Sequence, residues 1–266
     1  MDSSSLAAHP RPDGYVGVFD SGVGGVSVLR YLVRQLPSER FSYFGDSANA
    51  PYGERSVEEV RDLSFAIANH MVGDGAKALV IACNTATSAA VRELRAAYPE
   101  IPIVGVEPAL KPAVLAAREG KVLVMATKVT LELDKFHRLA DRWSKKAQVE
   151  TVACTGLAAR IEQGNLDAPD LLELIERLVG CYRGEVGTVV LGCTHYPFVR
   201  RQILQVLGEN VAVYDGGEGT ARQLSRLLRE RGLLAPESSP GSVSFASSLP
   251  GEHEIALYRS FFELDE

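Results

Sequence analysis

The chain alternates short apolar runs with longer stretches in which apolar residues return every three or four positions. Runs at residues 15–19, 41–44, 78–82, 101–106, 122–125, 149–153, 188–191 and 211–214 have the length and composition of strands. Several lack polar alternation, the pattern of strands covered on both faces. Helical periods fall between them, as at 57–73 and 168–181. The first of these opens on Ser56-Val57-Glu58-Glu59, a capping box. A last strand at 242–245 and a helix at 253–262 close the chain. This alternation predicts βαβ units and parallel sheets.

Two segments break the pattern. Val104-Gly105-Val106-Glu107-Pro108 is a crossing point, with Pro108 and Pro112 bracketing the next helix start, and Asp215-Gly216-Gly217 is a second. They predict two α/β domains, the first made of residues 1–107 and 217–266 and the second of residues 108–216. The C-terminal segment would then return to complete the first domain.

The apolar runs also repeat a detail. Leu79-Val80-Ile81-Ala82-Cys83-Asn84-Thr85 and Val189-Val190-Leu191-Gly192-Cys193-Thr194-His195 share one frame, 110 residues apart: a strand, a small residue, a cysteine and two polar residues. Ligands of open parallel sheets sit at the carboxyl ends of strands, so each run would deliver a thiol to the mouth of a sheet. A lone cysteine there is as readily a small buried hydrophobe. Two in matching frames suggest paired acid/base groups acting on opposite faces of one carbon. Each also precedes a helical stretch, 85–97 or 198–207, where a thiol pKa is lowered. Cys154 and Cys181 lack this context and are assigned to packing.

Composition narrows the classes. The 266 residues are 46% hydrophobic and 23% charged with a net charge of −6, which argues against a nucleic-acid partner. No apolar run reaches the length of a membrane span, and residues 1–14 are polar and lack the core of a signal peptide, so they are read as a frayed tail of a cytoplasmic protein. Four cysteines without a CxxC pair, and five scattered histidines, indicate neither a disulfide framework nor a metal site.

Other strand ends carry candidate chemistry. Phe19-Asp20-Ser21-Gly22-Val23-Gly24-Gly25 reads as an anion-binding loop or as a turn with Asp20 as helix cap. Ser27 stands where a dinucleotide fingerprint has its third glycine, and no P-loop lysine follows. Asp46 ends a strand before Pro51-Tyr52-Gly53; it could reach a site or cap a loop. His195 reads as acid/base support for Cys193 or as a surface residue, and Thr127-Lys128-Val129-Thr130 as ligand hydroxyls or a cap.

Together, DSGVGG at 20–25, PYG at 51–53, ACNTA at 82–86 and GCTHYP at 192–197 resemble the glutamate racemases of the aspartate/glutamate racemase superfamily, in order and spacing from about Tyr15 to Gly217. The chain departs from the family pattern at Lys128 and at 154–157. The resemblance implies two similar open parallel-sheet α/β domains with the active site in the cleft between them. It implies a cofactor-independent isomerase interconverting L- and D-glutamate for peptidoglycan, with no metal. Cys83 and Cys193 would be the bases, Asp20 supporting the first and His195 the second, with Asp46 and Glu162 as auxiliary acids. Substrate contacts would be Asp20, Ser21, Tyr52, Gly53, Asn84, Thr85, Thr127, Thr130, Thr194 and His195. The implied partner is a small molecule, glutamate, with a homodimer as the assembly to consider.

The chemistry needs such residues. An amino-acid Cα proton is far less acidic than a thiol, so donors at the carboxylate must stabilise the developing charge. One cysteine must begin as thiolate and the other as thiol. Alternatives are a racemase of another amino acid such as aspartate, a non-catalytic dicarboxylate-binding protein, and a phosphatase using Asp20. The last lacks a second aspartate, Gly22 standing in its place.

Overall fold

A computed structural model of the chain describes residues 10–117, 121–144 and 146–264. Among these, nine strands alternate with helices: β1 (Tyr15–Asp20), β2 (Arg40–Gly45), β3 (Ala76–Ile81), β4 (Ile103–Gly105), β5 (Lys121–Ala126), β6 (Val149–Ala153), β7 (Val186–Leu191), β8 (Ala212–Asp215) and β9 (Ser242–Ser247). Each expected apolar run forms a strand, with ends shifted by at most two residues. β3 is buried along its whole length and β1 and β5 at all but their first residue, which is why their sequences show no alternation.

The strands form two parallel sheets, one ordered β4-β3-β1-β2-β9 and the other β6-β5-β7-β8. Reversed, the second order reads β8-β7-β5-β6, which is the β4-β3-β1-β2 pattern again. The halves are topological copies: β1 matches β5, and β3 matches β7. Both central pairs even slip register at the same place, at Tyr15/Val16 and at Lys121/Val122. The first sheet gains β9, which lies parallel to β2 from Arg40↔Ser242 to Gly45↔Ser247. The C-terminal strand thus returns to the first sheet, followed by the helix Glu252–Glu263.

Local signals explain several elements. Helix Val57–Gly73 begins with a complete capping box: the Ser56 hydroxyl accepts from Glu59 N–H, and the Glu59 carboxylate accepts from Ser56 N–H at 3.0 Å. Helix Pro169–Val179 starts on proline, whose missing N–H would be unpaired there anyway. The two crossings lie against each other, because a Cβ on Gly216 would stand 2.4 Å from the Glu107 carbonyl oxygen. Only glycine permits that approach.

Two expectations need correction. The tail reading fails at its inner end: Pro12 O accepts from Lys77 Nζ at 2.8 Å, and Asp13 O accepts from Arg40. Residues 1–9 lie outside the described residues. Cys181 is exposed rather than packed, because it sits in the turn Gly180–Tyr182, past the last buried position of the preceding helix. Cys154 is buried, as expected. Among the described residues no helix is long and apolar enough to cross a membrane.

Candidate active site

Equivalent strand ends of the two sheets face one another across a cleft of about 300 Å³. Asp20, Ser21, Cys83, Asn84 and Thr85 line it from the exits of β1 and β3, and Thr127, Cys193, Thr194 and His195 from the exits of β5 and β7. Pro51, Tyr52 and Gly53 complete one rim, and Ala158 another. Among the described residues no lysine or arginine lines it. Asp46, Thr130 and Glu162 stand behind the wall rather than on it.

The two thiols have different surroundings. Cys83 is the N-cap of helix Asn84–Ala97, and its sulfur accepts from Ala86 N–H at 3.4 Å. Burial and the neighbouring Asp20 carboxylate nevertheless push the Cys83 thiol well above its ordinary range. Burial likewise raises Asp20, against the pull of His195 and the Ser21 N–H. The Asp20 carboxylate accepts from Ser21 N–H at 2.7 Å, from Gly25 N–H, and from the Thr194 hydroxyl at 3.1 Å. The glycine loop is therefore filled by its own aspartate. Its helix, Val26–Gln35, is capped by Gly25 and not by Asp20.

Cys193 does not cap a helix, contrary to the spacing argument. A 3₁₀ turn, Tyr196–Val199, intervenes before helix Arg200–Leu207. The sulfur lies beside a side chain instead: Sγ is 3.6 Å from His195 Nδ1. His195 is buried, and its Nε2 lies 2.5 Å from Glu162 Oε1. Burial opposes charge on the imidazole, but the Glu162 carboxylate and Cys193 outweigh it and raise His195 well above the usual histidine range. Glu162 comes from helix Leu157–Glu162, which follows a left-handed Gly156. The unusual approach at 154–157 thus still delivers a carboxylate to His195.

The remaining candidates form two supporting groups. Asp46 accepts from Tyr52 O–H at 2.6 Å and from Asn49 Nδ2 at 3.1 Å, so it holds Tyr52 at the rim. Thr127 caps its own short helix, its Oγ1 accepting from Thr130 N–H, and also contacts Thr85 Oγ1 across the cleft at 3.2 Å. Thr130 Oγ1 lies 2.9 Å from Thr127 Oγ1 and 3.4 Å from Thr85 Oγ1, behind both. The cap reading of that segment holds, and its Thr127 hydroxyl stands at the cleft. The Asn84 side-chain oxygen is buried without a hydrogen-bond partner. Among the described residues no three His, Cys, Asp or Glu side chains converge as metal ligands.

Sequence reasoning missed other contributors. The Ser27 hydroxyl donates to the Thr194 carbonyl at 2.8 Å, tying the first glycine loop to the second cysteine's loop. The Tyr43 hydroxyl donates to the Gly22 carbonyl at 2.5 Å. The available signal was a tyrosine at a buried strand position, since a buried phenol requires a partner. Ala158 carried no signal at all.

Comparison with known proteins is consistent across the chain. The model of the Asp/Glu/hydantoin racemase family matches residues 16–224. A glutamate racemase of Clostridium perfringens is 43% identical over 250 residues, 94% of this chain and 96% of the relative. A solved glutamate racemase isoform from Bacillus anthracis superposes with a TM-score of 0.85 at 31% identity, over 96% of both chains. Escherichia coli glutamate racemase, solved with L-glutamate and the activator UDP-MurNAc-ala, superposes at 0.81 and 31% identity, over 95% of this chain and 96% of that one.

Proposed function

The chain belongs to the Asp/Glu/hydantoin racemase family, and from that premise we propose that it racemises glutamate with two opposed cysteines and no cofactor. The observation that carries the reading is the pair of cysteines at equivalent strand ends of topologically equal sheets, lining one cleft. Each has its own ionisable partner, Asp20 for Cys83 and the His195–Glu162 pair for Cys193.

Glutamate would lie between the sulfurs, with the two domains, residues 1–107 with 217–266 and residues 108–216, closing over it. One thiolate removes the Cα proton while the thiol on the other face returns one, so the configuration inverts. Reversal exchanges the roles. Hydroxyls of Ser21, Thr85, Thr127 and Thr194, with backbone N–H groups of the strand-end turns, would receive the carboxylates. Such donors act strongly where they are held away from water, as the buried Ser21, Thr85 and Thr194 are. The unpartnered Asn84 oxygen suits the substrate ammonium, which has protons to give. D-glutamate made this way would supply peptidoglycan synthesis.

The test is circular dichroism of L- and D-glutamate with purified protein and no added cofactor, followed by Cys83→Ser and Cys193→Ser. Each single variant should abolish racemisation. With an analogue bearing a good β-leaving group, each should still eliminate from one enantiomer, and the two variants should lose opposite enantiomers. Loss of the same enantiomer by both, or near-normal racemisation by either, would falsify the two-base reading. No inversion of glutamate by the wild type, with inversion of another amino acid in a panel, would move the substrate.

A further inference from the structure

Gly22 C=O and Val23 N–H are the two ends of one peptide plane in the turn after β1. The Tyr43 hydroxyl donates to that carbonyl at 2.5 Å, and the Val23 N–H donates to Glu162 Oε1 at 3.0 Å. The same carboxylate oxygen lies 2.5 Å from His195 Nε2, and His195 Nδ1 lies 3.6 Å from Cys193 Sγ. We propose that Tyr43 is a positioning residue for the Cys193 half of the reaction: its hydroxyl fixes the Gly22–Val23 peptide, and the peptide fixes Glu162 beneath His195. The proposal rests on the two-cysteine reading above.

Three observations support it. First, the aim of the hydroxyl is set by packing. Tyr43 is fully buried on β2, edge-on to Tyr258 at 5.5 Å and to Phe245 at 6.0 Å. Both partners come from the returning C-terminal strand and helix, so that segment braces the catalytic loop from behind. Second, Glu162 approaches so closely that a Cβ on Gly22 would stand 2.0 Å from its Oε1. The turn has been left open for this carboxylate. Third, the bonds run in series through buried and half-buried surroundings, where each donor polarises the next. Tyr43 therefore connects the first sheet to the second cysteine without touching the cleft.

Other ionisable groups face the same region. Asp20, Tyr258, Glu162 and Cys83 surround Tyr43; Asp20, Glu162 and Cys193 face His195; and Cys83, Cys154 and Tyr196 face Cys193. Tyr43→Phe alters none of them and keeps the ring, so it isolates the donor. His195 should then hold its positive charge less firmly. Iodoacetamide labelling of Cys193, read peptide by peptide by mass spectrometry, should require higher pH than in the wild type. The Cys83 curve should stay in place. With glutamate, kcat should fall about five- to tenfold, the loss of roughly one ordinary hydrogen bond, with KM within about twofold.

Gly22→Ala displaces Glu162 from the opposite side and should move the Cys193 curve in the same direction. Circular dichroism and thermal melting establish that a variant is folded, and either variant is sufficient. A merely structural tyrosine would lower the melting temperature and kcat but leave the Cys193 curve unmoved. That result in a folded variant, or an equal shift at Cys83, overturns the proposal. Labelling needs no turnover. A wild type that labels as expected but does not racemise glutamate would overturn the assigned function and leave the Tyr43 coupling standing.

Discussion

Glu162→Gln removes the charge beneath His195 and almost nothing else. Glutamine has the same shape, and its carbonyl oxygen can still accept from Val23 N–H and His195 Nε2. What disappears is the anion 2.5 Å from a buried imidazole. A hydrogen bond to a charged group contributes roughly 1.5–3 kcal/mol, which corresponds to about a ten- to hundredfold loss of kcat if the interaction matters most in the transition state. The sign of the pH effect follows from the same contact. Burial alone lowers the charge on His195, and Glu162 reverses this and raises its affinity for a proton. Activity that needs the imidazolium is present below the His195 pKa and lost as pH rises through it. Without Glu162 that loss should begin at lower pH. Initial racemisation rates of both enantiomers, followed by polarimetry across neutral to alkaline pH, measure both effects. An unchanged alkaline limb, with kcat within about twofold of the wild type, would refute the claim that His195 works as a carboxylate-held cation.

Two other outcomes follow from groups away from this pair. Burial and Asp20 hold the Cys83 thiol well above its ordinary range, whereas Cys181 is exposed; iodoacetamide at neutral pH should therefore label Cys181 first and Cys83 far more slowly, as mass spectrometry would record. The Lys77–Glu39 ion pair, 2.6 Å long with both side chains almost fully buried, lies at the end of the first sheet opposite the cleft. Lys77→Met should cost roughly 3–5 kcal/mol in urea unfolding yet leave kcat unchanged below the transition, and Lys77→Met with Glu39→Leu should recover most of that stability.

Much of this molecule was legible before its fold was known, and the reasons are specific. Short unbroken apolar runs, Ala78-Leu79-Val80-Ile81-Ala82 and Val189-Val190-Leu191, report strands covered on both faces, so β3 and β7 could be read directly. The repeated frame then placed Cys83 and Cys193 at equivalent exits. The elements that sequence reasoning missed act through contacts between distant segments. Ser27 looked like a failed glycine in a nucleotide fingerprint; its hydroxyl instead crosses 167 positions to the Thr194 carbonyl. Helix starts misled at Cys193 because a 3₁₀ turn, Tyr196–Val199, follows it instead of an α-helix, and its sulfur meets His195 rather than the amide that Cys83 receives. Cys181 reads as packing only because it lacks the strand-end context of the other pair, but the helix ends at Val179 and the next turn leaves it exposed.

The two halves share a topology but not an electrostatic design, and the difference suits two-base chemistry. β1 ends on Asp20, while the equivalent strand β5 ends on Ala126. The first half thus supplies a carboxylate to its thiol from a neighbouring strand, and that negative charge favours the protonated sulfur. In the second half the position two beyond the cysteine is His195 rather than Thr85, and a helix delivers Glu162 to hold it. Glu162 favours the protonated imidazole, which would stand 3.6 Å from the Cys193 sulfur as a counter-charge for a thiolate. A racemase with two identical half-sites would have no reason to begin with one thiol and one thiolate. Here the exits of matching strands differ by one acid and one histidine, and the Thr194–Asp20 hydrogen bond at 3.1 Å joins the two environments. Any proton that moves from one sulfur toward the other therefore alters the field felt by both.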